Sequence, residues 1–516
     1  MKNSQKTMAF SAKLLFFLFV FFGCTHTVMR QSVPPTEARK VDKASEFLKA
    51  HLRDGRVMVF TKWTIHPDKS MIAGECGLLD FNRELMRSGQ DSIHFDDISL
   101  IETNKIESSG GAMTFMTVLS VGVTLSCMAN PKACFGSCPT FYVSDENGDH
   151  LVAEGFSSSI LPSLEETDID ALHMMKPAGS TVKIQMTNEA FETHVVRYVN
   201  LLAIPRTEGE QVFVSPAKEF FGVRNVRSVR SAVAPEGECT NLLRSFDAKE
   251  RFSPADEHNL AQRETLTVHF DNVPDGDVGL IVGFRETLLS TYLFYQTLAY
   301  AGNHAVQWLA QCERDPFLTA RFAAGYYEVL GGIKVLVETD DGNWVNAGEI
   351  HESGPIARNM VILPLPPLAR VRSIRLVMAK GRWRLDFIAL GEIVGKDIPV
   401  RVPVSSVTRN GVEDRQALEI LRDETRQMAT FPGEALSLTY ELPQNGTAYE
   451  LFLESRGYYL EWIREEWKKE ENLEKAMKAF LAPEEFVIEE APRFKAQEAT
   501  MEETFWRSRY VRQQEN

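Results

Sequence analysis

The chain is poor in the short motifs that mark common catalysts. It has no Gly-x-Ser-x-Gly, no His-Glu-x-x-His, no Gly-x-x-x-x-Gly-Lys loop and no Gly-x-Gly-x-x-Gly. The local devices of α/β-hydrolases, zinc peptidases, nucleotide hydrolases and dinucleotide enzymes are therefore missing. Cys-x-x-Cys is missing too, which removes the usual spacing of a thioredoxin-like pair. Positive charge is in deficit: 56 Lys and Arg stand against 71 Asp and Glu, a net charge of −15. Nucleic-acid binding relies on Lys and Arg neutralising phosphates, so no nucleic-acid partner is expected. No motif implies a cofactor or a metal, and none is expected. Carboxylate pairs for glycoside hydrolysis are abundant, but that chemistry depends on their separation, which a sequence does not display.

Long apolar runs are few. The first is Leu14 to Cys24, LLFFLFVFFGC, preceded by Lys2, Lys6 and Lys13 and by no acidic residue. A basic head, a short apolar run and a small residue before cysteine make a secretory signal. Its Gly23-Cys24 end resembles a bacterial lipoprotein signal. That resemblance implies that residues 1–23 are a signal peptide and that Cys24 becomes the first mature residue, lipidated with diacylglyceryl and palmitate-type chains. The protein would then be lipid-anchored in the bacterial cell envelope. Thr25 stands where Asp would favour inner-membrane retention, so the outer membrane is expected if the cell is Gram-negative. The alternatives are an ordinary cleaved signal or an uncleaved anchor, although the run is short of the about 20 apolar residues a span needs. The second run, 112–129, lies at the lower edge of a span but is diluted by Thr114, Thr117, Ser120 and Gly122. A buried helix or strand pair is expected there.

Seven cysteines occur in all. An exported compartment permits disulfides, and Cys127, Cys134 and Cys138 fall within twelve residues, making them the disulfide candidates. A redox pair, or a zinc site completed by His150, is the alternative for the same cysteines.

Taken in order, 24–44 is polar with Pro34-Pro35 and reads as a tether from the lipid. A short helix over ASEFLKAHL precedes β-branched and aromatic strands at 57–60, 63–65, 72–80 and 98–102, a small β-rich domain over 45–107. Residues 108–206 combine the apolar segment with a hairpin whose Asn147-Gly148 turn suits the positive φ that tight hairpins need. Residues 207–400 carry short strands broken by turns and one inserted apolar helix near 285–310, a pattern suited to a β-sandwich or jelly roll. Arg224, Arg227 and Arg230 within it read as a solvated face, with an anion site as the alternative. A β segment follows over 401–456. Residues 457–516 are helical in pattern from Tyr458 to Leu481, with Glu471/Lys475 and Glu474/Lys478 spaced as helix pairs. Phe486, Phe494, Phe505, Trp506 and Tyr510 in the tail suggest docking on the body or a partner. The fold class is multidomain, mainly β, with sandwich-like units and a few helices.

Four motifs occur in order: Ser137-Cys138-Pro139 before the hairpin, Leu164-Glu-Glu-Thr-Asp168, Asn188-Glu189-Ala-Phe-Glu192-Thr193, and Trp383-Arg-Leu-Asp386. Together they resemble a set of bacterial exported proteins with an SCP hairpin, an NExxET segment and a WxxD strand. The resemblance implies β-rich exported architecture and no catalytic residue. The functional expectation is an envelope lipoprotein with a non-enzymatic binding or structural role, touching the membrane through Cys24 and an envelope protein or glycan elsewhere. An envelope glycan-active enzyme is the alternative, with a redox or metal protein using the 127–138 cysteines behind it.

Overall fold

A computed structural model describes residues 26–108 and 138–507 apart from short internal stretches, the longest of them 310–324 and 462–468. Cys24, the run 112–129, Cys127, Cys134 and Cys312 lie outside the described residues. The chain is mainly β, with antiparallel sheets and a few helices, two of them C-terminal. Among the described residues no helix is long and apolar enough to cross a membrane.

The first sheet has six strands in the order 26–33, 98–108, 48–52, 57–66, 71–79, 85–94. The expected helix over ASEFLKAHL is corrected here: Leu48–Leu52 is a strand between its partners at 98–103 and 57–60. Leu48, Ala50 and Leu52 alternate into the core. Lys49 and His51 both reach Glu102 at 3.3 and 3.0 Å. Five residues of period two won over a helix-like composition because two neighbouring strands offered backbone partners. His26–Val33 is likewise a strand, paired with Ile101–Ser108.

Two further sheets face each other. One runs 412–413, 406–409, 435–441, 181–187, 140–145, 148–154; the other runs 400–402, 192–205, 449–461, 166–171. Val182, Ile184 and Met186 from the first meet Val199, Leu201 and Ala203 from the second in one apolar core. The strand Tyr449–Glu461 runs through Tyr458, so the helix expected to start there does not. The partner Glu192–Pro205 runs alongside for its whole length and is buried almost throughout. Gly457 lies where these strands are tightest. A Cβ there would sit 2.4 Å from the Val195 carbonyl oxygen and 2.9 Å from Cζ of Phe156. Gly457→Ala is therefore expected to cost about 1–3 kcal/mol, the usual range for overpacking, measurable as a lower urea midpoint at unchanged slope.

After Pro205 the chain leaves this pair and builds two more sheets before returning at Val400. One is ordered 237–238, 231–234, 263–269, 373–379, 333–338, 344–350. The other closes on itself, because Phe220–Ser228 pairs with both Gln211–Val214 and Trp383–Asp397. Phe213, Phe221, Val223, Ile281, Met360 and Ile362 share one face of the closed sheet. Gly391 makes room there, since a Cβ would meet Val223 Cγ1 at 2.3 Å. The opposite face packs on the neighbouring sheet through Leu280, Val282, Leu376 and Val335. Phe452 of the strand 449–461 enters the same core, edge-on to Phe220 at 4.9 Å. The expected strands at 333–338 and 344–348 pair as anticipated.

The helices are α1 (Leu289–Ala301), α2 (Arg415–Leu421), α3 (Leu473–Leu481) and α4 (Pro483–Arg507); α2 packs on the facing sheets, and the other three share a core of their own. The apolar α1 is buried against α3 and α4, which explains why it shows no polar stripe. Proline suits the first turn of α4 because the N–H it lacks would have no helical partner. Phe486, Phe494 and Phe505 are buried against α1 and its surroundings, so these tail aromatics dock on the body. Lys475 and Lys478 turn to Glu490 and Glu489 of α4, tying the two C-terminal helices together.

Candidate functional site

Three of the four motifs converge at one end of the facing sheets. Asn188 sits in the turn that feeds the strand Glu192–Pro205. Its side-chain amide donates to the carbonyls of Glu192 and Thr430 at 3.0 and 3.1 Å, and its oxygen accepts from Ala190 N–H at 3.3 Å. The backbone adds Asn188 N–H to Glu434 O and Gly433 N–H to Asn188 O. One asparagine thus holds two distant turns together. Glu189 accepts from the Tyr142 hydroxyl at 3.1 Å. Glu192 and His194, both fully buried, meet at 2.7 Å. In the Leu164–Asp168 segment, Glu165 takes both arms of Arg197 at 2.5 and 2.8 Å. That bidentate fork suits a carboxylate.

Cys138 is buried beside this cluster, with Ser157 close by. Burial, then the nearby Glu154 and Glu192 carboxylates, push its thiol well above the ordinary range. A thiolate there is disfavoured twice over, by lost hydration and by like charge. Cys138, Cys76 and Cys239 carry free thiols. Glu154, at the end of the strand 148–154, accepts the N–H groups of Ile356 and Ala357, both at 2.6 Å. A single carboxylate oxygen thereby joins the facing sheets to the inserted pair.

The fourth motif lies elsewhere. Trp383 packs in the inserted core, and Asp386, fully buried, accepts from Asp247 N–H, Ala248 N–H and Arg358 at 3.0–3.1 Å. Nearby, Arg251 donates to both Glu264 and Glu236. Arg224 pairs with Glu210 and Arg230 with Asp271, which fits a solvated charged face.

His173 marks the junction of the two halves. Its ring lies 5.4 Å from that of Phe213 and 6.1 Å from that of Phe452. Burial, opposed more weakly by the nearby Met360 backbone and aided by Arg206, leaves it lowered to about 4. Glu450 stands 4.0 Å from its Nδ1 and is engaged by Arg206 at 3.1 Å.

Sequence reasoning singled out Cys138 but not Glu154, His173 or Arg251. The available signal was slight: His173 follows Ala171-Leu172 and precedes Met174-Met175, an apolar setting for a histidine. Glu154 and Arg251 stand in ordinary charged surroundings, and their roles come from partners up to 203 residues away. Among the described residues no group of three His, Cys, Asp or Glu could hold a metal ion. A cavity of about 170 Å³ lies along the edge strand 85–94, lined by Cys76, Leu78 and 87–91.

No family model matches this chain, and no curated protein sequence is similar to it. Among solved structures, the secreted serine protease VesC from Vibrio cholerae aligns with 71% of this chain and 99% of its own at 6% identity. The TM-score of 0.14 carries no argument about fold or activity.

Proposed function

We propose that this chain is a lipid-anchored protein of the bacterial envelope with a binding or structural role, held to the membrane through Cys24. The observation that supports this reading most is the use made of the motif residues. Asn188, Glu165 and Asp386 spend their polar atoms on intrachain bonds that tie strands, turns and sheets together. Buried polar groups so engaged specify one arrangement of the fold, and a multi-sheet body presenting loops is suited to binding. The partner in this reading is an envelope protein or glycan.

Two measurements test it. Cys24→Ser is expected to abolish lipidation and partitioning into a detergent phase, since a set of acyl chains holds a protein firmly to a membrane. Mass spectrometry of the mature N-terminus decides the point, and an unmodified N-terminus elsewhere than Cys24 overturns the anchor. The lipid-free chain is then incubated with peptidoglycan and mixed envelope glycans. Retention without released products is expected; product release abolished by one carboxylate or histidine substitution that leaves the fold intact would replace this reading with an enzyme.

A further inference from the structure

We infer that the strand Leu85–His94 is a docking edge for a second copy of this chain, joined to it by antiparallel pairing centred on Gly89. The strand is the last of the first sheet, and among the described residues no strand pairs with its outer side. Met86 to Gln90 are exposed. Proteins ordinarily blunt such edges with lysine, proline or short length. This edge is ten residues long, LMRSGQDSIH, and holds neither Lys nor Pro.

One bond fixes the direction of its backbone groups. Phe95 N–H donates to the Ser70 carbonyl at 2.8 Å, in register with the Met71–His94 pair. Alternate residues of a strand turn their backbone groups to opposite sides. Arg87, Gly89, Asp91 and Ile93 therefore bond inward to the strand Met71–Leu79, and Ser88, Gln90 and Ser92 turn their N–H and C=O groups outward. The stretch Arg87-Ser88-Gly89-Gln90-Asp91 complements itself when read backwards. A two-fold axis at Gly89 sets Arg87 of each copy opposite Asp91 of the other, and Ser88 opposite Gln90. Ser88 and Gln90 then exchange backbone bonds across the axis. Arg87 and Asp91 fall in the closer pairs that exchange none, where side chains meet, and opposite charges so placed favour pairing. Within one chain Arg87 reaches Asp91 at 2.6 Å, so both charges lie on one face of the strand. The Arg87 side chain is still 66% exposed, which leaves it open to a second carboxylate. Gly89 puts no side chain on the axis. The register shift between Leu78 and Leu79 leaves Met86 out of the ladder and bounds the regular edge on that side. Self-complementarity of this kind is what a two-fold dimer requires.

Density-matched sedimentation equilibrium of the full chain in detergent counts the copies in each particle, whether or not Cys24 carries lipid. A dimer is expected, and a monomer overturns the proposal. Arg87→Asp and Asp91→Arg each turn two attractive pairs into two repulsive ones, so either alone is expected to weaken association about tenfold. Mixed in equal amounts the two variants should pair with each other, because every opposed pair across the axis is then of opposite sign. Single variants that dimerise like the parent overturn the edge as the contact. A mixture that stays monomeric overturns the antiparallel register. Ser88→Pro removes an outward N–H that the sheet itself does not use, a position where an edge strand tolerates proline. Its circular dichroism should match the parent while the dimer is lost, and a dimer that survives it also overturns the edge.

Discussion

Asp386→Ala is expected to destabilise the inserted pair of sheets by about 3–5 kcal/mol, the range for breaking a buried, hydrogen-bonded ion pair. The carboxylate is fully buried and receives two consecutive backbone N–H groups and the Arg358 guanidinium. Removing it leaves Asp247 and Ala248 N–H without their acceptor and Arg358 without its counter-charge. Each orphaned donor costs on the order of 1–3 kcal/mol where water does not reach it. Ala248 adds to the effect, because its φ of 69° is a left-handed conformation that a residue with a Cβ adopts at a cost of about 1–2 kcal/mol, and the bond to Asp386 helps to hold it. Urea unfolding reads the total, and amide exchange should show the loss concentrated over 243–252 and 383–390. A change below about 1 kcal/mol would mean that water replaces the carboxylate, contrary to its burial.

Acidification is expected to weaken the junction of the two halves through His173. The folded-state value near 4 lies below the ordinary value of about 6.5. Between the two, the unfolded chain binds a proton that the folded chain refuses. Stability from this group is therefore complete above about pH 6.5 and falls as pH drops towards 4, by about 3 kcal/mol in all. The charged groups facing the ring are Arg206 and Glu450. Burial raises the Glu450 carboxyl, so its folded form holds a proton more readily and opposes the loss in the lower part of the window. His173→Phe keeps an aromatic ring between Phe213 and Phe452 while deleting the titration. Its stability should depend less steeply on pH between 6.5 and 4 than that of the parent chain. Parallel pH profiles in the two proteins would rule His173 out as the source.

Local sequence alone determined the elements whose partners are close by. The strands 333–338 and 344–350 alternate and are joined by Asp341-Gly342, so their pairing needs little of the rest of the chain. The paired strands 140–145 and 148–154, and those at 57–66 and 71–79, are of the same kind. The buried α1 was legible for a related reason, since thirteen residues with such apolar and aromatic content have few other places to go. Tertiary structure decided the rest. Leu48–Leu52 and Tyr458–Glu461 read as helical because short amphipathic patterns are ambiguous, and long neighbouring strands settled them by supplying hydrogen-bond partners. Lys475 and Lys478 have acidic neighbours four residues back, yet α4 offers Glu490 and Glu489 across a helix contact. The return of 400–461 to the sheets of 140–205 left no local trace, because pairs such as Thr181 with Glu441 join residues that no short window contains. The same holds for Glu154 and His173: each has an unremarkable neighbourhood in the chain, and its meaning comes from backbone and rings that folding carries to it.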